Sequence, residues 1–396
     1  MLFRLALLLA GSAVLLSAQD WARWGGPTGD FRIPSPYFSN WPSGGPRVLW
    51  SRPLGPGYSA IAVESGRLYT MTRRSNQELV LSLDASSGKT LWEYAETTEF
   101  RPQNLEAGHG PQAMPQVFGD LVVACGVRGK IYALAKASGR LVWKRELPGT
   151  EMGYGYSSHP VAWRDSLLVQ MGGKGHAIVR LRLSDGAVIW SRHSFKNSHA
   201  SPVLVSRNGR TEAVFWMSDA LVGLDPDTGD LLWTEPASQA LDLPIETPLL
   251  LPNHRMLLTS AYDGALMYEF SNPGPPRLLW STDRLRAYFS VLAELNGKLY
   301  GSLGSASTTF LSEIDLNRGT VVWRSREFGR AHVLAAATSL IVLAEDGTLA
   351  MLRPPQTLGR ISLLASPART PPSFSRGMLY ARDQEKIVAV SFSGKE

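Results

Sequence analysis

Leu83-Asp84-Ala85-Ser86-Ser87-Gly88-Lys89-Thr90-Leu91-Trp92 and Gly223-Leu224-Asp225-Pro226-Asp227-Thr228-Gly229-Asp230-Leu231-Leu232-Trp233 are two copies of one phrase. An apolar run ends in Asp, a Gly follows four residues later, and a Trp four residues after that. The phrase returns, with changes, from Leu134 to Trp143, from Leu181 to Trp190 and from Ile314 to Trp323, with Gly139, Gly186 and Gly319 in the glycine place. Trp50 and Trp280 mark two further copies, the second irregular around Gly274. The seven tryptophans are separated by steps of 42, 51, 47, 43, 47 and 43 residues. A period of that length, holding several short strands, is the mark of a β-propeller.

Each unit reads as four strands. In the first, Gly57 to Val63, Gly66 to Met71, Leu79 to Leu83 and Thr90 to Tyr94 are short apolar runs divided by Gly, Asn, Asp and Ser turns. Asp263-Gly264 and Asp346-Gly347 are hairpin signals between second and third strands. An eighth mark is Leu358-Gly359 to Leu363, where Leu363 takes the place of the Trp. Val48-Leu49-Trp50 has no earlier strands in its own unit, and the last runs, Met378 to Ala381 and Lys386 to Val390, have no outer strand after them. The two fragments complete one blade. The expectation is an all-β, eight-bladed propeller of four-stranded antiparallel blades, closed by N- and C-terminal strands sharing one blade. Trp50, Trp92, Trp143, Trp190, Trp233, Trp280 and Trp323 are expected to be structural, packing across blade seams.

Residues 1–18 stand apart. Arg4, an apolar run from Leu5 to Leu16, and the small pair Ser17-Ala18 read as a secretory signal peptide. The run is shorter than the roughly 20 residues of a spanning helix. The expected organisation is therefore a signal over 1–18 and a single domain over 19–396, exported to a periplasmic or extracellular space, with no transmembrane segment left after cleavage. The single cysteine, Cys125, excludes an internal disulfide and sits in a buried-strand pattern. The net charge of +6 is spread along the chain with no basic run, so nucleic acid is not an expected partner.

The Asp-x-x-x-Gly-x-x-x-Trp phrases resemble the PQQ-type repeat of quinoprotein β-propellers over about residues 20 to 394. The opening Asp20-Trp21-Ala22-Arg23-Trp24-Gly25-Gly26-Pro27 is similar to that of secreted bacterial PQQ-binding-like propeller proteins. The resemblance implies the fold. Its quinoprotein members imply a dehydrogenase holding PQQ with Ca²⁺, beside a pair of adjacent cysteines. One cysteine removes that pair, and the calcium ligands cannot be mapped here. The expectation is thus a non-catalytic binding scaffold, monomeric, without cofactor or metal, whose partner is a protein or small ligand. The alternatives are a PQQ-dependent oxidoreductase and a hydrolase or lyase using histidines.

Candidate binding residues come from phase. Counting 34 residues back from each Trp gives Tyr58, His109, Tyr156, His199, Glu246 and Phe289; His159 and His332 lie 31 before Trp190 and Leu363. Arg369 holds a comparable place before Thr370-Pro371-Pro372. Tyr58, His109, Tyr156, His159, His199, Glu246, His332 and Arg369 are the candidates for one mouth of the channel. Equally, each could be a polar residue where one inner strand meets water, with no convergence. Nothing in the sequence suggests a catalytic residue or a metal ligand set.

Overall fold

The computed structural model describes residues 20–34, 37, 40–102, 108–149, 153–236, 245–272, 274–305 and 307–392; the expected signal segment lies outside them. Eight sheets stand in a ring. Seven are consecutive in the chain: blades 1 to 7 span residues 62–97, 116–145, 161–192, 203–236, 249–282, 293–325 and 331–362. The eighth joins strands Ser373–Ser375, Met378–Arg382 and Lys386–Ser391 to Arg47–Pro53, which pairs antiparallel with Lys386–Ser391. That ladder closes the ring as expected. Arg382, fully buried, adds a staple across the last seam by donating to the Met71 carbonyl at 2.6 Å and the Gly55 carbonyl at 3.0 Å.

The recurring phrase has three physical jobs. Its Asp caps the turn: Asp84 Oδ1 accepts the Ser86 and Ser87 N–H groups, and Asp225 and Asp315 do the same in their blades. A β-bulge then falls just before the Trp, at Ser82/Leu83 in blade 1 and at the matching point of the other blades. It turns each indole into the seam. There the glycine of the next blade makes room: a Cβ on Gly88, Gly139, Gly186, Gly229 or Gly319 would lie 2.6 to 2.8 Å from the ring of Trp50, Trp92, Trp143, Trp190 or Trp280. The same five indoles donate their N–H to carbonyls in that turn, as Trp92 does to Lys136 at 3.0 Å. Apolar clusters accordingly lie in the seams, one joining Trp143 to Leu167 and Leu181, another joining Trp190 to Phe215 and Leu224.

Three seams depart from the pattern; among the described glycines none lies against Trp323. Trp233 donates instead to Glu212 at 2.8 Å, inside its own blade. Glu212 pairs at 2.8 Å with buried Arg207, whose guanidinium reaches the Gly274 carbonyl of blade 5 at 2.6 Å. In blade 7 the bulge falls at Met351/Leu352, so Gly359, not Leu363, occupies the tryptophan's place. The missing indole comes from elsewhere: a Cβ on Gly359 would lie 2.4 Å from Trp41. A tryptophan ahead of Arg47–Pro53, the outer strand of the eighth blade, thus fills the gap that blade 7 leaves.

The largest departure from expectation is at the start of the chain. Residues 20–33 cross the channel as a plug. Trp21 bridges Val63 in blade 1, the Ala22 carbonyl accepts from Val117 in blade 2, and Arg32–Ile33 adds a parallel fifth strand to blade 7. Arg32 also pairs with Glu294 of blade 6, and Asp20 accepts from Ser375 of blade 8 at 3.0 Å. These contacts cover inner-strand edges that a bare channel would leave to water.

Candidate functional site

The inner strands run from one mouth of the channel toward the plug, so the residues that lead into them encircle that mouth. They enclose a cup of about 110 Å³. One ordered water needs only about 10–15 Å³ on such a measure, so the cup has room for a small molecule. Trp24, from the plug, closes it on the channel side. The aromatic walls are Tyr58, Tyr154, Tyr262, Tyr288 and Phe289. Six of the eight candidates line this one space: Tyr58, His159, His199, Glu246, His332 and Arg369.

His109 and Tyr156 do not line it. His109 is exposed, in a longer loop, where its carbonyl accepts from Arg73 at 2.6 Å. Gln112, three residues on, takes the place in the cup. Tyr156 is buried in the seam between blades 2 and 3, close to Gly129 and Gly149. Extended chain alternates its faces, so Ser157 and His159 point into the cup while Tyr156 points away. Counting 34 back from Trp190 thus lands on the wrong face. Trp24, Tyr154, Ser157, Ser201, Tyr262 and Tyr288 belong to the lining and are not reached by the count. The mirrored runs Ser157-Ser158-His159 and His199-Ala200-Ser201 are the signal that could have found two of them.

Those runs interlock. Ser157 Oγ lies 3.0 Å from His199 Nδ1, and Ser201 Oγ lies 2.9 Å from His159 Nδ1. Ser201 Oγ also accepts the His159 backbone N–H, so one hydroxyl holds both the ring and the backbone of that histidine. His332 Nδ1 accepts the Val291 N–H at 3.3 Å, and the ring also bonds to the Arg369 backbone, so it ties blades 6, 7 and 8 together.

Burial holds all three imidazoles neutral: the pKa of His159 falls to about 3, and those of His199 and His332 to about 4. Coupling of these rings to Glu246 or to the Arg369 charge, a natural expectation if they were close, plays no part in those shifts. Burial pushes Glu246 the other way, to about 8, partly offset by a hydrogen bond from the Ser290 N–H. Both shifts favour the uncharged forms of these side chains at pH 7. Arg369, which also lines the cup, pairs with Glu345 at 2.5 Å, and Glu345 pairs in turn with buried Arg330 at 3.0 Å. Arg330 lies over the Tyr288 ring at 4.7 Å and Arg369 over Phe289 at 5.5 Å. Phe289 adopts a φ of 52°, a rare conformation for so bulky a residue.

Residues 42–210 match the family model described as outer membrane protein assembly factor BamB. The whole ring is similar to BamB from Moraxella catarrhalis, with 18% identity and a TM-score of 0.65, over 89% of this chain and 99% of that one. The chain is an eight-bladed propeller, and the family model matches its first blades. The quinohemoprotein alcohol dehydrogenase from Comamonas testosteroni shares the ring at 12% identity and a TM-score of 0.71, over 97% of this chain and 82% of that one. At such identities the likeness is one of fold. No curated protein matches the chain.

The cup's donor set does not suit the Ca²⁺ that the resemblance to quinoproteins implies. Among the described residues no group of three or more His, Cys, Asp and Glu could hold a metal ion. Ca²⁺ takes six to eight oxygen ligands, carboxylates among them, whereas the cup offers one carboxyl, kept protonated. Cys125 lies in the second strand of blade 2, buried, with its thiol pushed up to about 12. No helix of the described residues is long and apolar enough to cross a membrane.

Proposed function

We propose that this propeller is an exported, non-catalytic binding protein that takes a ligand or the tip of a partner into the cup. The observation that carries the reading is the cup itself: the ends of the blades lead into one aromatic-walled space with a few polar side chains, among them three imidazoles that burial holds neutral. Pockets of this make, mostly apolar with a few placed polar groups, are the usual form of a ligand site. Catalysis is less well supported. A general base needs an available lone pair and a pKa near working pH. The Nδ1 atom of His332 accepts a hydrogen bond, that of His159 is held by Ser201 Oγ, and burial lowers the imidazole pKa values to about 3 to 4. Glu246 titrates near neutrality but has no second carboxylate beside it in the cup. The apolar leader at residues 1–18 supports export.

A fragment screen by ligand-observed NMR tests the reading. Tyr262 lines the cup and is 46% exposed, so Tyr262→Ala should leave the fold intact. Hits that disappear in Tyr262→Ala are expected. Hits that persist in that variant, or a screen with none, would overturn the cup as the site. The cofactor reading has its own assay: reconstitution with PQQ and Ca²⁺ is expected to give no dye reduction with alcohols or aldoses, and clear turnover would restore the dehydrogenase reading.

A further inference from the structure

The floor of the cup comes from outside the repeat, and its role rests on the cup being the binding site proposed above. Trp24 stands where the plug turns back on itself: the Gly26 N–H donates to the Arg23 carbonyl at 3.1 Å and the Phe31 N–H to the Gly25 carbonyl at 2.9 Å. That turn is close-packed. A Cβ on Gly25 would lie 2.5 Å from the Gly29 carbonyl, and one on Gly26 would lie 2.7 Å from the Trp21 ring. Phe31 sets its ring edge-on to the Trp24 indole, centroids 5.4 Å apart, and His159 lies 5.4 Å from the indole within the cup. The indole cannot retreat from a ligand without breaking these contacts.

A second, smaller space lies beside the indole. It is a void of about 20 Å³ between blades 5 and 6, walled by Trp24 and Phe31 of the plug and by the apolar side chains of Leu249, Leu257 and Leu292. Such a void holds about one water-sized group and is no site by itself. Trp24, Glu246, Thr247 and Val291 line both spaces. Glu246 and Thr247 lead into the inner strand of blade 5, and Val291 into that of blade 6. Trp24 alone of these four comes from the plug, so the indole is a partition that the blades do not supply.

We propose that Trp24 sets the depth of the cup, and with it the length of the apolar group that a ligand can carry toward the channel. In the native protein the apolar end of a ligand stops on the indole. With the indole removed, the cup, the indole's own place and the void form one apolar slot that reaches between blades 5 and 6. The ligand class is then a small molecule with a compact apolar end, and a long unbranched chain is excluded. The exclusion is steric: each methylene that finds apolar surface adds about fourfold in affinity, and one that meets a fixed wall adds nothing.

A series of 4-alkylphenols, from methyl to octyl, titrated by ligand-observed NMR, is the test. The native protein is expected to gain about fourfold in affinity per methylene up to a short limit and to lose affinity beyond it. Trp24→Ala should keep the slope below that limit and carry the gain past it. Trp24→Phe keeps a ring between Phe31 and His159 and should move the limit by less; it carries the test if calorimetry shows Trp24→Ala to be unfolded. Tyr262→Ala should abolish binding at every length, which places the probes in the cup. A limit unchanged in both Trp24 variants, with affinity lowered evenly at all lengths, would mean that the indole only supports the cup, and would overturn the proposal. So would alkylphenol binding that survives Tyr262→Ala. If no alkylphenol binds while fragment hits still depend on Tyr262, the depth assignment falls alone; if those hits fail too, the cup falls with it.

Discussion

Gly139→Ala and Gly66→Ala should cost different amounts, and the difference measures the blade seam. Both glycines have a left-handed backbone, φ 71° and 75°. An alanine there costs roughly 1–2 kcal/mol from that conformation alone. At Gly66 nothing lies within 4 Å of the added Cβ, whereas at Gly139 the Cβ lies 2.6 Å from the Trp92 indole. Trp92 is buried and tied to the Lys136 carbonyl at 3.0 Å, so it cannot swing aside without losing that bond. Overpacking of this kind costs a further ~1–3 kcal/mol. Gly66→Ala should therefore lose about 1–2 kcal/mol, and Gly139→Ala about 3–4. In urea, with an m-value of about 3 kcal/mol/M, the extra 2 kcal/mol moves the unfolding midpoint by roughly 0.7 M. Trp92→Leu in the Gly139→Ala background should recover part of the loss, a coupling of about 1–2 kcal/mol. Equal midpoints for the two glycine variants would refute the reasoning: the glycine would then serve its turn only, and the Trp would not need the space.

The closure of the ring makes its own prediction: deleting residues 386–396 removes the strand that pairs with Arg47–Pro53, and should lower the melting temperature of the whole molecule rather than of one blade, as seen in a single shifted calorimetric transition. Glu212→Ala leaves buried Arg207 without its carboxylate and Trp233 without its acceptor, and should cost about 3–5 kcal/mol by urea unfolding, against less than about 1 for the exposed pair partner Glu93→Ala. Stability should peak near pH 6.5. Below it His159, His199 and His332, held neutral in the fold, lose stability as pH falls toward about 4; above it Glu246, protonated in the fold, loses up to ~1.4 kcal/mol per unit until about pH 8. Glu246→Gln should flatten the alkaline limb of a melting-temperature profile, and an unchanged limb would mean that the carboxyl is ionised in the fold.

The fold was legible because a propeller repeats its physics. Asp84, Gly88 and Trp92 are needed together, for a turn, a clearance and a seam, and the same three needs recur around the ring. The places where the pattern misleads are those where a distant residue supplies the need. Leu363 stood for a tryptophan because it lies in an apolar run after Gly359, but register puts Gly359 itself at that point and Trp41 above it. No local pattern announces such a loan across some 300 residues. The plug is the same case on a larger scale: Trp21, Trp24 and Phe31 lie ahead of the first blade outside the repeat, and only the closed ring gives them an inner surface to cover. For the cup, phase found the layer but not the face. His199 and Glu246 fall in register because their approach to the inner strand matches that of blade 1; His109 and Tyr156 miss because a longer loop, or one residue of alternation, is enough to turn a side chain from the channel to solvent or to a seam. The chemistry was the least legible part. A histidine and a glutamate in one layer suggest an ion pair by their letters, yet burial moves their pKa values in opposite directions, so both are neutral at pH 7. Enclosure by the plug and the blades decides this, and enclosure is a property of the assembled ring.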